Sequence, residues 1–418
     1  MAKLRIEGGR RLSGRISVEG NKNSALPLLA ACLLTDQECV LSNVPRIRDV
    51  DVLIELMRGV GAIVDGAGTG TLRVRCPAIT SDRPDPVLVG KLRGSVLLLG
   101  PLLARCGSAR IAEPGGDFPA RRTISTHLQA LARMGAVPVD EPGHALDAPN
   151  GLTGASFYLD EASVTGTETA LLAAAAAKGP TEIRHAAMEP HVGELCRFLR
   201  GIGVSIEGEG TTTIRVEAPA RFGGTSHRLD GDYIEAGSWG VTAAITGGEI
   251  EVLGVRTADL EVVSAPLLKM GLRCTYTDDR LRIEPSTLTA AGRITTGLWP
   301  GFPSDMVSLV TVLATQADGR TLVHDWLYEL RLFALEQLSA MRAGLFLCDP
   351  HRIIVSGPAK LRGRLLDARD LRSGMALIAA ALAAEGESTV TPLETVERGY
   401  ASLVDRLRSL GAQVEREN

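Results

Sequence analysis

The chain has 418 residues and a formal net charge of −4 at pH 7. This length is too great for one ordinary hydrophobic core, and the charge argues against sequence-independent binding of nucleic acid. Seven cysteines are scattered without CxxC spacing, and the sequence shows neither a signal peptide nor an apolar run long enough to cross a bilayer. We therefore expect a cytoplasmic globular protein with reduced thiols, no metal site and no membrane, nucleic-acid or obligatory protein partner.

One pattern recurs six times along the chain. Each copy begins with an apolar helix of small residues, continues with a short strand and an amphipathic helix, and ends in further strands. The apolar helices read, in chain order, "SALPLLAACLL", "SVLLLGPLLA", "TALLAAAAA", "GSWGVTAAI", "DMVSLVTVLA" and "GMALIAAALAA". A glycine closes each amphipathic helix in the left-handed conformation that glycine adopts readily. These glycines are Gly61, Gly135, Gly203, Gly271, Gly344 (out of register in the fifth copy) and Gly411.

The repeat length of about 70 residues suits a βαβαββ-like unit. Three such units make one compact domain, so six predict two α/β domains. The first domain is expected over 22–230, and the second over 1–21 with 231–418, the N-terminal strand pairing onto the second domain. Because the first helix of each repeat is apolar nearly all round, we expect it to be buried inside its domain, parallel to its two counterparts.

Polar residues precede each buried helix. Serine, threonine, aspartate and asparagine at such positions are usually helix caps. Cations are unfavourable at a helix N-terminus unless an anion offsets them, yet Lys22, Arg93 and Arg372 occupy these positions. Further arginines, in the loops before the amphipathic helices, are Arg122, Arg331 and Arg398. Cations contributed by separate repeats predict a pocket for a strongly anionic ligand.

At these residues the sequence resembles the enolpyruvyl transferase family over its whole length, specifically the UDP-N-acetylglucosamine 1-carboxyvinyltransferase branch. The segments that carry the resemblance are "LSGRISVEGNKNSALPLLAACLL", "LRGSVLLLGPLLAR", "EPGGD", "WPGFPSDM", "DLRSGMALIAAAL" and "ERGYASLVDRLRSLGA". The SKS-type and GNAGT-type motifs of the shikimate 3-phosphate branch are absent from the sequence. The resemblance implies an EPSP synthase-like, two-domain inside-out α/β barrel with its active site in the interdomain cleft.

The resemblance also implies an activity and a set of site residues. The enolpyruvyl group of phosphoenolpyruvate would pass to a hydroxyl of a UDP-sugar, the 3-OH of UDP-N-acetylglucosamine, with release of phosphate. This reaction of peptidoglycan synthesis would proceed through a tetrahedral intermediate and need no cofactor. The expected phosphoenolpyruvate-binding residues are Lys22, Arg122, Arg331, Arg372 and Arg398. The expected catalytic residues are Asp117, Asp305 (the base near the acceptor hydroxyl), Lys22 and Arg398. The expected acceptor-binding residues are Asn23, Arg93, Arg122, His127, Ser163, Val164, Thr165, Ser304 and Asp305.

Asp117 stands after Pro-Gly-Gly, where the family usually has a cysteine. A carboxylic acid can deliver a proton as a thiol can, but it is a poor target for an epoxide that alkylates thiolates. Our hypothesis is that the protein turns over normally and resists fosfomycin. The alternative, a loop aspartate paired with Arg121 or Arg122, stays open.

The acceptor half departs from the family pattern. Thr123 and Ser125 replace the usual proline and aspartate, and Met188 and Tyr233 replace arginines. Glu161 replaces a lysine that faces the diphosphate, a charge reversal worth about 1 kcal/mol or more. A different nucleotide acceptor, such as UMP in nucleoside-antibiotic synthesis, therefore stays open. So does a non-catalytic, ligand-binding protein.

Overall fold

A computed structural model describes residues 2–116, 123–277 and 279–417. Strands and helices alternate along most of this length. The strands are β1 (Lys3–Glu7), β2 (Ser13–Ser17), β3 (Cys39–Ser42), β4 (Ile63–Asp65), β5 (Thr71–Arg75), β6 (Ser108–Ile111), β7 (Val137–Pro138), β8 (His144–Asp147), β9 (Ser156–Tyr158), β10 (Thr181–Arg184), β11 (Ser205–Glu207), β12 (Thr213–Glu217), β13 (Thr225–Arg228), β14 (Glu249–Leu253), β15 (Arg273–Thr277), β16 (Arg280–Glu284), β17 (Gly292–Thr295), β18 (Gly319–His324), β19 (Gly344–Asp349), β20 (Arg352–Gly357), β21 (Leu365–Asp367), β22 (Glu387–Thr391) and β23 (Gln413–Glu417).

The helices range from one turn to more than three turns. They are α1 (Lys22–Ala31), α2 (Arg48–Gly59), α3 (Pro86–Val89), α4 (Leu99–Cys106), α5 (Ser125–Arg133), α6 (Val164–Ala174), α7 (Pro190–Gly201), α8 (Tyr233–Ile245), α9 (Thr257–Lys269), α10 (Val307–Ala314), α11 (Gln337–Ala340), α12 (Leu371–Ala383), α13 (Leu393–Glu397) and α14 (Leu403–Ser409). Short 3-10 helices span Cys32–Leu34, Arg93–Leu98, Ser304–Met306 and Arg331–Leu335. No helix in the described ranges is long and apolar enough to cross a membrane.

The chain divides into two compact units. One is Gly20–Asp230, and the other joins Met1–Glu19 to Gly231–Asn418. The N-terminal segment belongs to the second unit because both of its strands pair there. Strand β1 pairs with β22 and β23, and β2 lies parallel to β14.

Sheets of the same topology recur in both units. The unit Gly20–Asp230 has the four-stranded sheets β13-β3-β5-β4 and β11-β12-β10-β9 and the three-stranded sheet β6-β8-β7. The other unit has the four-stranded sheets β15-β16-β14-β2, β17-β18-β20-β19 and β21-β22-β1-β23. In each four-stranded sheet one edge pair is parallel and the other two pairings are antiparallel. The predicted βαβαββ-like repeat is therefore confirmed, with a three-stranded version in the second copy.

Three of the repeats are completed by a strand from elsewhere in the chain; in the sixth repeat this strand is β1, which pairs with β22 and β23. In the first repeat the edge strand parallel to β3 is β13, which comes from the end of that unit. In the fourth repeat the corresponding strand is β2, from the N-terminal segment. These long-range pairings close each unit on itself, because the first repeat cannot form a four-stranded sheet without the last strand of its unit.

The apolar first helices form the centre of each unit, as predicted. Helices α8 and α10 are buried along their whole length, and helix α12 is buried over residues 372–382. These three helices pack against one another, as α1, α4 and α6 do with the neighbouring 3-10 helices in the other unit. Several begin at a polar cap, since the side chains of Asn21, Ser163, Asp232 and Asp370 accept hydrogen bonds from backbone amides of the first turn. The capping explanation is therefore correct for these four residues.

The closing residue of the fifth repeat differs from the prediction. Gly61, Gly135, Gly203, Gly271 and Gly411 all have the positive φ expected of them. In the fifth copy the left-handed residue is Arg342, with φ of 73°, whereas Gly344 begins strand β19. Our assignment of Gly344 to the closing position was wrong, because an arginine adopts the left-handed conformation two residues earlier. Such a conformation is unfavourable for a residue that carries a Cβ atom.

Candidate active site

Asp305 lies between two arginines in the unit that contains the N-terminal segment. Arg331 Nη2 donates to Asp305 Oδ1 at 3.1 Å, and Arg372 Nε donates to Asp305 Oδ2 at 3.2 Å. A second nitrogen of Arg372, Nη2, lies 3.1 Å from the same Oδ2 atom. The structure thus brings together three predicted site residues from the fifth and sixth repeats.

The local structure explains why these side chains meet. Asp305 is in the 3-10 helix that precedes buried helix α10, and Arg372 is in the first turn of α12. The Asp370 carboxylate accepts hydrogen bonds from the amides of Arg372 and Ser373, which fixes the start of that helix. Arg331 begins a 3-10 helix directly after Leu330, a left-handed residue with φ of 64°. Because α10 and α12 pack side by side, their first turns place these residues together.

Both arginines are buried and charged. Their exposed fractions are 8% for Arg331 and 5% for Arg372. Burial by itself lowers the pKa of each guanidinium, but the attraction of Asp305 and other anionic or polarisable neighbours outweighs it, so both pKa values are raised. Asp325 and Asp370 also attract the Arg331 guanidinium, so neighbouring carboxylates compensate the positive charge in this structure.

Several supporting side chains were not predicted from the sequence. Arg372 Nη1 donates to the hydroxyl of Tyr400 at 3.3 Å, and that hydroxyl lies 2.7 Å from Ser238 Oγ. The Arg331 guanidinium lies over the ring of Tyr328, 4.9 Å from its centroid. Tyr400 follows Arg398 and Gly399 in the segment "ERGY", so its position beside a predicted cation was the available signal. Burial raises the pKa of the Tyr400 phenol, which keeps it neutral beside Arg372.

Lys22 and Asn23 lie in the other unit, at the start of helix α1. The Lys22 ammonium is 2.6 Å from a carboxylate oxygen of Asp49, a residue that the sequence did not suggest. The amide of Asn23 donates to Asn21 Oδ1, so its backbone is part of the cap. Lys22 therefore has a carboxylate counterion in this structure, and an anionic ligand would share the lysine with that carboxylate.

Several predicted acceptor-binding residues also meet within this unit. Arg93 Nη2 donates to the carbonyl oxygen of Thr123 at 2.7 Å, and Thr123 Oγ1 lies 2.9 Å from Ser125 Oγ. His127 Nε2 and Thr165 Oγ1 are 2.8 Å apart. The contact between His127 and Thr165 joins the second repeat to the third.

His127 is a neutral residue in this arrangement. It is 3% exposed, and burial together with the positive charge of Arg93 lowers its pKa to about 3. The imidazole therefore acts as a neutral hydrogen-bonding group near pH 7. It cannot contribute a positive charge to the recognition of a phosphate.

The start of helix α6 holds the remaining acceptor candidates. The Ser163 hydroxyl accepts a hydrogen bond from the amide of Gly166, so it serves as a cap. Val164 is the first residue of the helix, and Thr165 follows with its bond to His127. Glu161 lies just before the cap, and its Oε1 accepts a hydrogen bond from Thr126 Oγ1 at 3.0 Å.

Three predicted site residues have other outcomes. Asp117 and Arg122 lie outside the described residues. Arg398 is half-buried and directly follows α13, a helix that packs against α12. Within residues 2–116, 123–277 and 279–417, no group of three or more histidine, cysteine, aspartate or glutamate side chains is placed to hold a metal ion.

Comparison with known proteins identifies the family of this chain. The sequence model of the EPSP synthase (3-phosphoshikimate 1-carboxyvinyltransferase) family matches residues 6–407. A UDP-N-acetylglucosamine 1-carboxyvinyltransferase of Bradyrhizobium diazoefficiens is 42% identical over 98% of this chain and 97% of its own length. One of Treponema denticola is 37% identical over 98% of both chains. The crystal structure of the enolpyruvyl transferase NikO from Streptomyces tendae has a TM-score of 0.89 and 27% identity, covering 100% of this chain and 99% of its own. The chain therefore belongs to the EPSP synthase family of enolpyruvyl transferases.

Proposed function

We propose that the protein transfers the enolpyruvyl group of phosphoenolpyruvate to the 3-hydroxyl of UDP-N-acetylglucosamine and releases phosphate. The names of the full-length relatives support this acceptor and the transfer of a carboxyvinyl group. The observation that carries the proposal is the Asp305 centre, in which a carboxylate accepts hydrogen bonds from two buried guanidinium groups. As the location we propose the cytoplasm, in keeping with seven free cysteines.

The chemistry needs one proton delivered and one removed. The acceptor hydroxyl loses its proton as it attacks, and the methylene carbon of phosphoenolpyruvate gains one. We assign the first role to Asp305 and the second to Asp117. The tetrahedral intermediate then eliminates phosphate, whose charge is stabilised by arginines held in place beforehand.

The proposal requires cations of both units to reach one phosphoenolpyruvate molecule. Arg331 and Arg372 come from the unit with the Asp305 centre, Arg398 is assigned to the same set, and Lys22 and Arg122 come from the other unit. Binding of one anion by cations from different repeats would offset the repulsion among those cations.

A second acceptor is favoured by one specific observation. The Glu161 carboxylate, which accepts a hydrogen bond from Thr126 Oγ1, stands where the resemblance implies a lysine facing the diphosphate. Because His127 is neutral, it does not offset this negative charge. A nucleotide with less negative charge than a diphosphate, such as UMP, would suffer less repulsion there.

The experiment is a phosphate-release assay with phosphoenolpyruvate and three acceptors, UDP-N-acetylglucosamine, UDP and UMP. Turnover with the first supports the main proposal, and turnover with UMP alone supports the second. Glu161→Lys should favour the diphosphate acceptor, and Glu161→Gln, which removes the charge without reversing it, serves as the matched control. A wild-type protein that binds phosphoenolpyruvate but is inert with every acceptor would contradict both proposals and favour a ligand-binding protein.

A further inference from the structure

Asp325 is a buried carboxylate that the family motifs and the proposed mechanism leave without a role. It directly follows strand β18 and is 0% exposed. Its carboxylate accepts hydrogen bonds from Thr296 Oγ1 at 2.8 Å, from Ser304 Oγ at 2.8–2.9 Å and from the amide of Leu327 at 3.2 Å. Burying a carboxylate is costly unless hydrogen bonds compensate, so the site has been built to hold this group.

The bond to Ser304 fixes the direction of a hydroxyl. A serine hydroxyl has a single proton to donate. Because Ser304 donates that proton to Asp325, its lone pairs remain available to accept from Arg331 Nη1, at 2.7 Å. The other terminal nitrogen of Arg331 donates to Asp305. A continuous path thus runs from Asp325 through Ser304 and Arg331 to the carboxylate assigned as the base.

We propose that Asp325 is a positioning residue for the enolpyruvyl transfer reaction, an inference that rests on the function proposed above. It orients the Ser304 hydroxyl, which in turn holds the Arg331 guanidinium against Asp305. In Asp325→Asn an amide N–H group replaces one accepting oxygen and can donate to Ser304 Oγ, so the hydroxyl turns its proton toward Arg331. Arg331 then loses the acceptor of its Nη1, and the contact of its Nη2 with Asp305 is no longer held in place.

Thr296 offers a matched control within the same structure. Its hydroxyl also donates to Asp325, at 2.8 Å, and it accepts a hydrogen bond from the amide of Trp326 at 3.0 Å. No bond joins it to Arg331 among the described contacts. Thr296→Val therefore removes one hydrogen bond to the same carboxylate but leaves the path through Ser304 intact.

The kinetic test compares Asp325→Asn, Ser304→Ala, their double variant and Thr296→Val. We expect kcat of each of the first two to fall about 10- to 100-fold, the usual loss for one charge-assisted hydrogen bond. The double variant should be within about threefold of the worse single variant, because both changes interrupt one path. Thr296→Val should lower the melting temperature by as much as Asp325→Asn does, with kcat within about threefold of wild type.

Two outcomes would overturn the inference. One is a double variant whose fold-decrease in kcat equals the product of the two single decreases. The other is a Thr296→Val variant whose kcat is as low as that of Asp325→Asn. A crystal structure of Asp325→Asn separates this inference from the proposed function, since it needs no turnover. We expect the Arg331–Asp305 hydrogen bond to be broken there; an unchanged 3.1 Å contact would refute the positioning role. A wild type inert with every acceptor would refute the proposed function instead.

Discussion

The burial of His127 predicts a pH dependence of stability that a single substitution isolates. The folded protein holds this imidazole neutral, with its pKa lowered from 6.5 to about 3. Below pH 6.5 the unfolded chain therefore binds a proton that the folded chain does not. The resulting contribution to stability is complete above pH 6.5 and declines as the pH falls toward 3. Between pH 7 and pH 5 the loss amounts to about 2 kcal/mol.

His127→Gln is the matched perturbation, because the glutamine amide can replace Nε2 in the contact with Thr165 and does not titrate in this range. Urea unfolding at pH 7 and at pH 5 gives the change in unfolding free energy on acidification for the wild type and for the variant. The unfolding free energy of the wild type should fall by about 2 kcal/mol more than that of the variant. In the NMR spectrum of the seven histidines, the resonance missing from the variant should not titrate above pH 4. A midpoint near 6.5 for that resonance would refute the argument.

Three further changes test other parts of the molecule. Arg372→Lys removes the fork that contacts Asp305, and kcat/KM for phosphoenolpyruvate should fall about 10- to 100-fold; a loss below threefold would contradict the assigned role. Arg342→Gly should raise the unfolding free energy by about 0.5–1 kcal/mol by relieving a left-handed arginine, whereas Arg133→Gly, at the end of helix α5, should lower it by about 1 kcal/mol. Wild type should keep its activity after incubation with fosfomycin, and Asp117→Cys should lose it with time; time-dependent inactivation of the wild type would disprove the resistance hypothesis.

The fold was predictable because its signal is repeated. Six copies of one pattern average out local ambiguity, and the apolar runs mark buried helices such as α8 and α12 independently of any tertiary contact. The strand that completes the first repeat was not assigned from the sequence. Strand β13 pairs with β3 across almost the whole unit, and hydrophobic periodicity carries no information about a partner so distant in sequence.

The residues of the candidate site could be picked out from the sequence where charge conflicts with local structure. Arg372 in the first turn of a helix is unfavourable on its own, so its position indicated a role, and the structure gives it Asp305 as a counterion. Supporting residues gave no such signal. Asp49, Tyr400 and Asp325 are ordinary residue types in their local sequence, and their importance arises only from contacts with residues far along the chain.

The distribution of these contacts bears on how acceptor specificity can change within the family. Asp305, Arg331 and Arg372 are fixed by hydrogen bonds that lie entirely within one unit, whereas Glu161 and His127 belong to the other, which has its own buried helices. A substitution at Glu161 changes none of the hydrogen bonds named above for the Asp305 centre, since these join residues of its own unit. Replacing the negative charge at Glu161 by a positive one therefore changes one interaction with the acceptor. The residues assigned to phosphoenolpyruvate are kept. On this reasoning, Glu161→Lys should change the order of preference among acceptors while the KM for phosphoenolpyruvate stays within about threefold.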